Sequence, residues 1–253
     1  MTLSSLEVVL LVGGLGTRLS SELGDLPKPM VEVGGCPFLE HELLHLREFG
    51  IRNIVLAVSH RREAIEQRFG DGKSLELSLA YSRETQPLGT AGALRNALPL
   101  VYGDDVLVLN GDSFADVDYG ELLHFHRTHG GKLTMTAFHS SDCRDFGRMQ
   151  ISKGQVEAFV EKENSDSSPG YINAGVYIFN RELIQSIRPG VVESLEKTLF
   201  PSLIARGERI QAYCTGGYFI DMGTPQRLQK LRSDFLRGVV PLRGADSAKR
   251  LSS

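Results

Sequence analysis

The residues best suited to chemistry come early in the chain. Gly13-Gly14-Leu15-Gly16-Thr17-Arg18-Leu19 is followed by Pro27-Lys28-Pro29-Met30. Glycines carry no Cβ, so their amides approach a ligand closely and turn to positive φ. Successive amide N–H groups in such a loop form an anion-binding nest. Arg18 adds a guanidinium suited to bidentate phosphate contact. Lys28 stands between two prolines that restrict the backbone and help aim its ammonium. Together these residues predict a phosphate cradle. It is not a Walker loop, because Gly16-Thr17-Arg18 does not end in Gly-Lys-Ser/Thr. It is not a Rossmann fingerprint, because Leu19 stands where a third glycine belongs, and Ser59 and His60 stand where an acid belongs.

Asn110-Gly111-Asp112 closes the apolar run Val106 to Leu109. An acid at the carboxyl end of a buried strand faces the cleft. Beside a triphosphate a bare carboxylate repels, so Asp112 makes sense with Mg²⁺ between them. A capping role is the alternative, which Asp116 or Asp118 could fill equally well. Pro87-Leu88-Gly89-Thr90-Ala91-Gly92 opens a helix to about Leu98 with small residues. A flat ligand such as a nucleobase fits there, although the stretch alone is also an ordinary helix start. His41-Glu42-Leu43-Leu44-His45 matches the zinc-protease pattern, but Glu48 and Ile51 occupy the positions of the glycine and third histidine of its extended form. Solvated histidines on a polar helix face are expected instead.

The elements that must hold these groups alternate. Strands are expected at Val8 to Val12, Asn53 to Val58, Leu77 to Tyr81, Val106 to Leu109, Lys132 to His139, Gln155 to Val160, Gly175 to Phe179 and Ile210 to Tyr213. Helices are expected at Phe38 to Phe49, Arg61 to Phe69, Gly89 to Leu98, Glu121 to His129, Arg181 to Ile187 and Glu193 to Ala205, with a last one capped by Thr224 and Pro225. The alternation predicts an α/β chain with a Rossmann-like doubly wound, mostly parallel but mixed sheet, whose ligands sit at the carboxyl ends of the strands. At 253 residues and 41% apolar, the chain suits one domain. A net charge of −3 argues against nucleic acid. No apolar run approaches a membrane span and Met1 to Leu6 lacks the regions of a signal peptide, so no membrane partner is expected. Cys36, Cys143 and Cys214 read as reduced thiols of a cytoplasmic protein.

The Gly-Leu-Gly-Thr-Arg-Leu run with Pro-Lys-Pro-Met resembles the signature of the sugar-phosphate nucleotidyltransferases, over about Glu7 to Phe235. The resemblance implies a GT-A-like nucleotidyltransferase domain over 1–237, and the polar, turn-rich composition of 238–253 predicts a poorly ordered tail. It implies transfer of a nucleoside monophosphate from a triphosphate to a sugar 1-phosphate, with release of pyrophosphate. The nucleotide would lie on Val12, Gly13, Gly14, Leu15, Gly16, Thr17, Arg18, Lys28, Pro87, Gly89, Thr90, Gly92, Asn110, Gly111 and Asp112. The sugar phosphate would lie on Gly147, Glu161, Lys162, Asn173 and Gly175, with Lys162 on the phosphate. Arg18-Lys28-Asp112-Asp221 would be the catalytic set, and Asp221, in Asp221-Met222-Gly223-Thr224-Pro225, the second Mg²⁺ ligand beside Asp112. Arg148-Met149 departs from the small aliphatics of many relatives. The run looks most like the short bacterial enzymes that use GTP and D-glycero-D-manno-heptose 1-phosphate. Mannose-1-phosphate guanylyltransferases and uridylyltransferases are the near alternatives, and catalytically silent nucleotide-sugar-binding regulatory subunits the distant one. A homodimer is an assembly the resemblance allows, and no acyltransferase β-helix is expected.

Overall fold

The computed structural model describes residues 3–14, 19, 26–59, 61–160 and 167–241. The chain runs through β1 (Glu7–Leu11), a short hairpin of β2 (Glu32–Val33) and β3 (Cys36–Pro37), α1 (Phe38–Glu48), β4 (Asn53–Val58), α2 (Arg62–Phe69), β5 (Ser78–Arg83) and α3 (Gly89–Ala97). It continues through β6 (Asp105–Asn110), β7 (Ser113–Ala115), α4 (Tyr119–His129), β8 (Leu133–Ser140), β9 (Arg148–Ser152), β10 (Gln155–Val160) and β11 (Gly170–Asn180). The last elements are α5 (Arg181–Ser186), α6 (Phe200–Ala205), β12 (Ile210–Thr215), β13 (Phe219–Asp221) and α7 (Pro225–Leu236).

Among the described residues one sheet has the strand order β5-β4-β1-β6-β11-β8-β12-β10-β9. The first four strands are all parallel. Beyond β6 the sheet is mixed: β11 runs antiparallel to β6 and β8, whereas β12 is parallel to β8. The doubly wound reading therefore holds for the first half, and the second half is hairpin-built. Lys153 and Gly154, both at positive φ (50° and 75°), turn β9 into β10.

Two expectations need correction. The strand expected to begin at Gly175 starts earlier, so Asn173-Ala174-Gly175 lies inside it. The triplet is an irregularity of the long strand β11, where the register against β8 shifts between Asn173 and Tyr177 and Gly175 adopts φ +73°. The helix expected from Glu193 is also broken. Glu193 is held out of it, its carbonyl accepting from the Ala91 and Gly92 amides and its N–H donating to Leu88. A π-helical turn (Leu195–Leu199) then leads into α6. Docking against α3 overrides the local periodicity.

Three cores form. One fills the face of the sheet under α1, α2 and α4, and a second the face under α3, α5 and α6. The third is smaller and lies off the sheet: Leu19, Val31, Val33, Phe38, Phe114, Ile220, Met222, Leu228, Leu231 and Val240. It joins the Lys28 segment, β7, β13 and α7. Val240 belongs to it, so packing continues past residue 237, whereas 242–253 lie outside the described residues.

Candidate active site

A cavity of about 390 Å³ opens at the carboxyl ends of β5, β4, β1 and β6. Val12, Gly13 and Gly14 form its floor, following directly from the fully buried Val8, Val9 and Leu10 of β1. A Cβ on Gly13 would stand 3.0 Å from Ser59 Cβ, so the loop is tightly seated, whereas Gly14 faces open space. Leu15, Gly16, Thr17 and Arg18 lie outside the described residues, as do Glu161 and Lys162.

Lys28 begins a 3-10 turn (Lys28–Met30) preceded by Pro27 and containing Pro29. The turn is closed by Met30 N–H on the Pro27 carbonyl, 2.8 Å. Its ammonium donates to Asp112 Oδ2 at 2.6 Å, with the lysine side chain only 10% exposed. Cation and carboxylate neutralise one another here. A polyanion and a divalent cation entering together would give each a new counter-charge. Asp221 reaches the same cavity from the far end of the chain. Strand β13 pairs antiparallel with β7, placing Asp221 opposite Ser113, and Met222 N–H donates to the Asp112 carbonyl at 2.9 Å. The Asp221 carboxylate accepts from Gly223 N–H, and an Arg227 guanidinium nitrogen lies 4.0 Å away. Arg227 also pairs with Asp145 at 2.7 Å and stacks over Phe146, its guanidinium carbon 4.3 Å from the ring centre.

The opposite wall carries Phe146, Gly147, Phe159, Asn173, Gly175 and Phe219. Gly147 admits Phe159, since a Cβ there would sit 2.6 Å from the ring. The Gly147 carbonyl accepts from Asn173 N–H. Asn173 uses its side chain to hold the β11 irregularity, accepting from Gly175 N–H at 3.1 Å and donating to the Tyr177 hydroxyl at 2.7 Å. One N–H and one lone pair remain for a ligand. Gly175 could not be another residue: its φ is +73°, and a Cβ would stand 2.9 Å from Ser113 Oγ. Asn110 Oδ1, also on the wall, is buried with no hydrogen-bond partner among the described residues.

Gly92 and Gly111 do not line the cavity. Both are packing glycines: a Cβ on Gly92 would meet the Val191 carbonyl at 2.6 Å, and one on Gly111 would meet Val12 Cγ1 at 2.5 Å. Gly92 brings α3 against the Val191–Glu193 segment, and Gly111 brings the end of β6 against Val12. Pro87, Gly89 and Thr90 do line it. Thr90 Oγ1 accepts from Leu195 N–H at 2.7 Å and donates to Glu196 at 2.9 Å. Glu196 and Glu84, neither singled out from sequence, complete this wall. Burial pushes the Glu84 carboxyl above its usual range, and hydrogen bonds from Ser59 and the Leu88 backbone pull it partly back. Only folding reveals these acids as wall residues, because each lies in an unremarkable polar stretch.

The zinc-protease match also resolves. His41 and His45 are buried, against the expectation of solvated rings. His41 Nε2 lies 2.8 Å from the Val33 carbonyl, and the His45 ring packs edge-on against Phe49, Phe114 and Tyr119. Among the described residues no group of three His, Cys, Asp or Glu side chains is placed to hold a metal.

A family model described as nucleotidyl transferase matches residues 7–237. The chain belongs to the nucleotidyl transferase family. It is 37% identical to a mannose-1-phosphate guanylyltransferase of Mycobacterium tuberculosis, over 95% of this chain and 67% of that protein. It is 36% identical to the mannose-1-phosphate guanylyltransferase catalytic subunit beta of Dictyostelium discoideum, over 92% of this chain and 64% of the relative. It thus spans about two thirds of the length of these curated relatives. The crystal structure of HddC from Yersinia pseudotuberculosis complexed with GMP-PN superimposes with a TM-score of 0.80 at 31% identity, covering 91% of this chain and 99% of that one. The nucleotidyl transferase fold, with its mixed sheet, is thereby shared. No helix among the described residues is long and apolar enough to cross a membrane.

Proposed function

We propose that this nucleotidyl transferase moves GMP from GTP to a manno-configured sugar 1-phosphate, releasing pyrophosphate and forming a GDP-sugar. One observation carries the reading: Lys28, Asp112 and Asp221, drawn from distant parts of the chain, converge on one cavity with the glycine loop. The guanine nucleotide is supported by the names of the relatives and by the GMP-PN bound to HddC. Mannose 1-phosphate follows the relatives' names. D-glycero-D-manno-heptose 1-phosphate follows the sequence resemblance. The two acceptors share the manno ring, and the described wall of Gly147, Asn173 and Gly175 faces that ring in either case.

The acceptor phosphate oxygen is already a competent nucleophile, so no covalent enzyme intermediate is needed. It attacks the α-phosphorus, the bond to the β-phosphate bridging oxygen breaks, and pyrophosphate leaves with the electron pair. The protein's work is to hold two polyanions together. The Gly13 and Gly14 amides and Lys28 take the triphosphate, joined by Gly16, Arg18 and their neighbours. Lys162 and Glu161 take the acceptor's phosphate and hydroxyls, and the uncommitted Asn110 Oδ1 takes a hydroxyl donor. Asp112 and Asp221 fit Mg²⁺, which accepts one or two carboxylates and completes its shell with phosphate oxygens and water. When bound, Mg²⁺ neutralises charge that develops on the departing pyrophosphate.

Pyrophosphate release should be measured for each nucleoside triphosphate against mannose, glucose and D-glycero-D-manno-heptose 1-phosphates. GTP with a manno-configured acceptor is expected to win. Binding of a GDP-sugar with no release from any pair would favour the regulatory-subunit reading instead.

A further inference from the structure

We infer that Arg227 is a positioning residue whose guanidinium holds the acceptor wall at Phe146 and Gly147 to the helix that follows Asp221. The inference rests on the acceptor placement proposed above and adds what fixes that wall. It starts from a charge in an unfavourable place. The first turn of α7 is a helix N-terminus, where the macrodipole favours acids and disfavours cations. That turn holds no acid and carries Arg227. Thr224 caps the helix, its hydroxyl accepting from Arg227 N–H at 3.3 Å, and Pro225 sets the backbone before it. The base of the arginine is therefore pinned, and a local rule broken at a pinned position marks a role elsewhere.

The side chain reaches the loop between β8 and β9. It meets Asp145 at 2.7 Å, lies over Phe146 with its guanidinium carbon 4.3 Å from the ring centre, and brings one nitrogen 4.0 Å from Asp221. Phe146 and Gly147 line the cavity, and Phe219, two residues before Asp221, meets the Phe146 ring edge-on at 5.6 Å. The Gly147 carbonyl accepts from Asn173 N–H, so a displaced Phe146 carries the acceptor wall with it. Asp145 is 56% exposed, and an ion pair in that setting holds weakly. The arginine side chain is only 21% exposed, so its stack on Phe146 supplies most of the hold. A lysine satisfies Asp145 but not the ring at the same time. A planar guanidinium stacks on one side and donates along its edge.

The test has two arms, both on the full chain. The first is pyrophosphate release with GTP, Mg²⁺ and the sugar 1-phosphate that turns over best. Arg227→Met keeps the apolar stem, and should raise the acceptor KM roughly threefold to thirtyfold while the GTP KM stays within about twofold. Arg227→Lys should recover part of the loss. Asp145→Asn should raise the acceptor KM roughly twofold to fivefold alone and add nothing once Arg227→Met is present. The second arm needs no turnover. The chain contains no tryptophan, so Phe146→Trp places a single indole in the wall. Its quenching by acrylamide, without substrates, should rise about twofold when Arg227→Met is added, because the guanidinium covers one of the two ring faces. Unchanged quenching overturns the inference, as does an acceptor KM that moves no more than the GTP KM. Should Arg227→Met not fold, Asp145→Asn decides by the same comparison of KM values. Increased quenching without turnover on any sugar phosphate would count against the proposed reaction and leave the positioning role standing. Turnover of GTP with a manno-configured acceptor that Arg227→Met leaves intact would do the reverse.

Discussion

Two carboxylates in one cavity live under opposite conditions. Asp112 is half-exposed and meets the Lys28 ammonium at 2.6 Å. Glu84 is buried and, among the described residues, meets a hydroxyl and a backbone N–H. The first end is built of opposite charges that separate when a polyanion and a cation arrive. The second holds a buried carboxyl between neutral donors. Under the proposed reaction the difference gives the cleft a direction, with phosphates and metal toward β6 and the uncharged part of the nucleotide toward β5. A symmetrical cleft would bind a nucleotide in either orientation, and only one orientation brings the α-phosphorus to the acceptor.

The largest effect is expected at the charged end. Lys28→Ala should cost about 3–4 kcal/mol of transition-state stabilisation, or about 10²–10³ in turnover, by analogy with other donors to developing charge. Near-normal pyrophosphate release from this variant would break the comparison. Asp221→Asn should come next. It leaves Asp112 as the one carboxylate at the cation position, so the Mg²⁺ concentration for half-maximal rate should rise about tenfold or more. A metal titration of both proteins checks this. At the neutral end, Thr90→Val removes the hydroxyl that bridges Leu195 N–H and Glu196. A stability loss of about 1–2 kcal/mol in urea unfolding is expected, with a smaller change in rate.

A third carboxylate sharpens the contrast because it has no job at either end. Glu42, on α1, is fully enclosed, its Oε1 without a hydrogen-bond partner among the described residues, and burial pushes its carboxyl from 4.5 up to about 8. The folded chain therefore keeps this proton over a pH range where the unfolded chain has lost it. Its contribution to stability is intact below about pH 4.5 and is lost as pH rises toward about 8. Glu42→Gln should flatten that slope and raise the melting temperature at pH 8 by roughly 2–4 °C. Identical melting curves for the two proteins across this range would show that the carboxyl titrates normally.

Much of this was legible in the residues themselves. The apolar run of β1, the glycines after it and the proline-flanked Lys28 carry their signal locally, so that end of the cavity could be read one position at a time. The Asp221 segment carried it through Thr224 and Pro225, which cap α7 as their types require. What escaped reading depends on contacts between distant segments. The close packing at Gly92 and Gly111 appears only in the fold, because spacing cannot show an approach to a neighbouring backbone. His41 and His45 looked solvated because α1 was judged by its sheet-facing leucines, whereas the third core and α7 cover its other side, with Phe235 against His41. Glu84 and Glu196 had no pattern at all, and acquire one only when β5 and the segment before α6 are folded against α3.

The pairing of β7 with β13 has a consequence for biosynthesis. Asp112 leaves the ribosome long before Asp221, and the third core that seats both lacks Leu228 and Leu231 until the last helix emerges. A nascent chain can thus shape its phosphate loop early yet hold no paired-acid site until synthesis is nearly finished. Premature termination anywhere before Asp221 would yield a fragment with the loop but without the second acid.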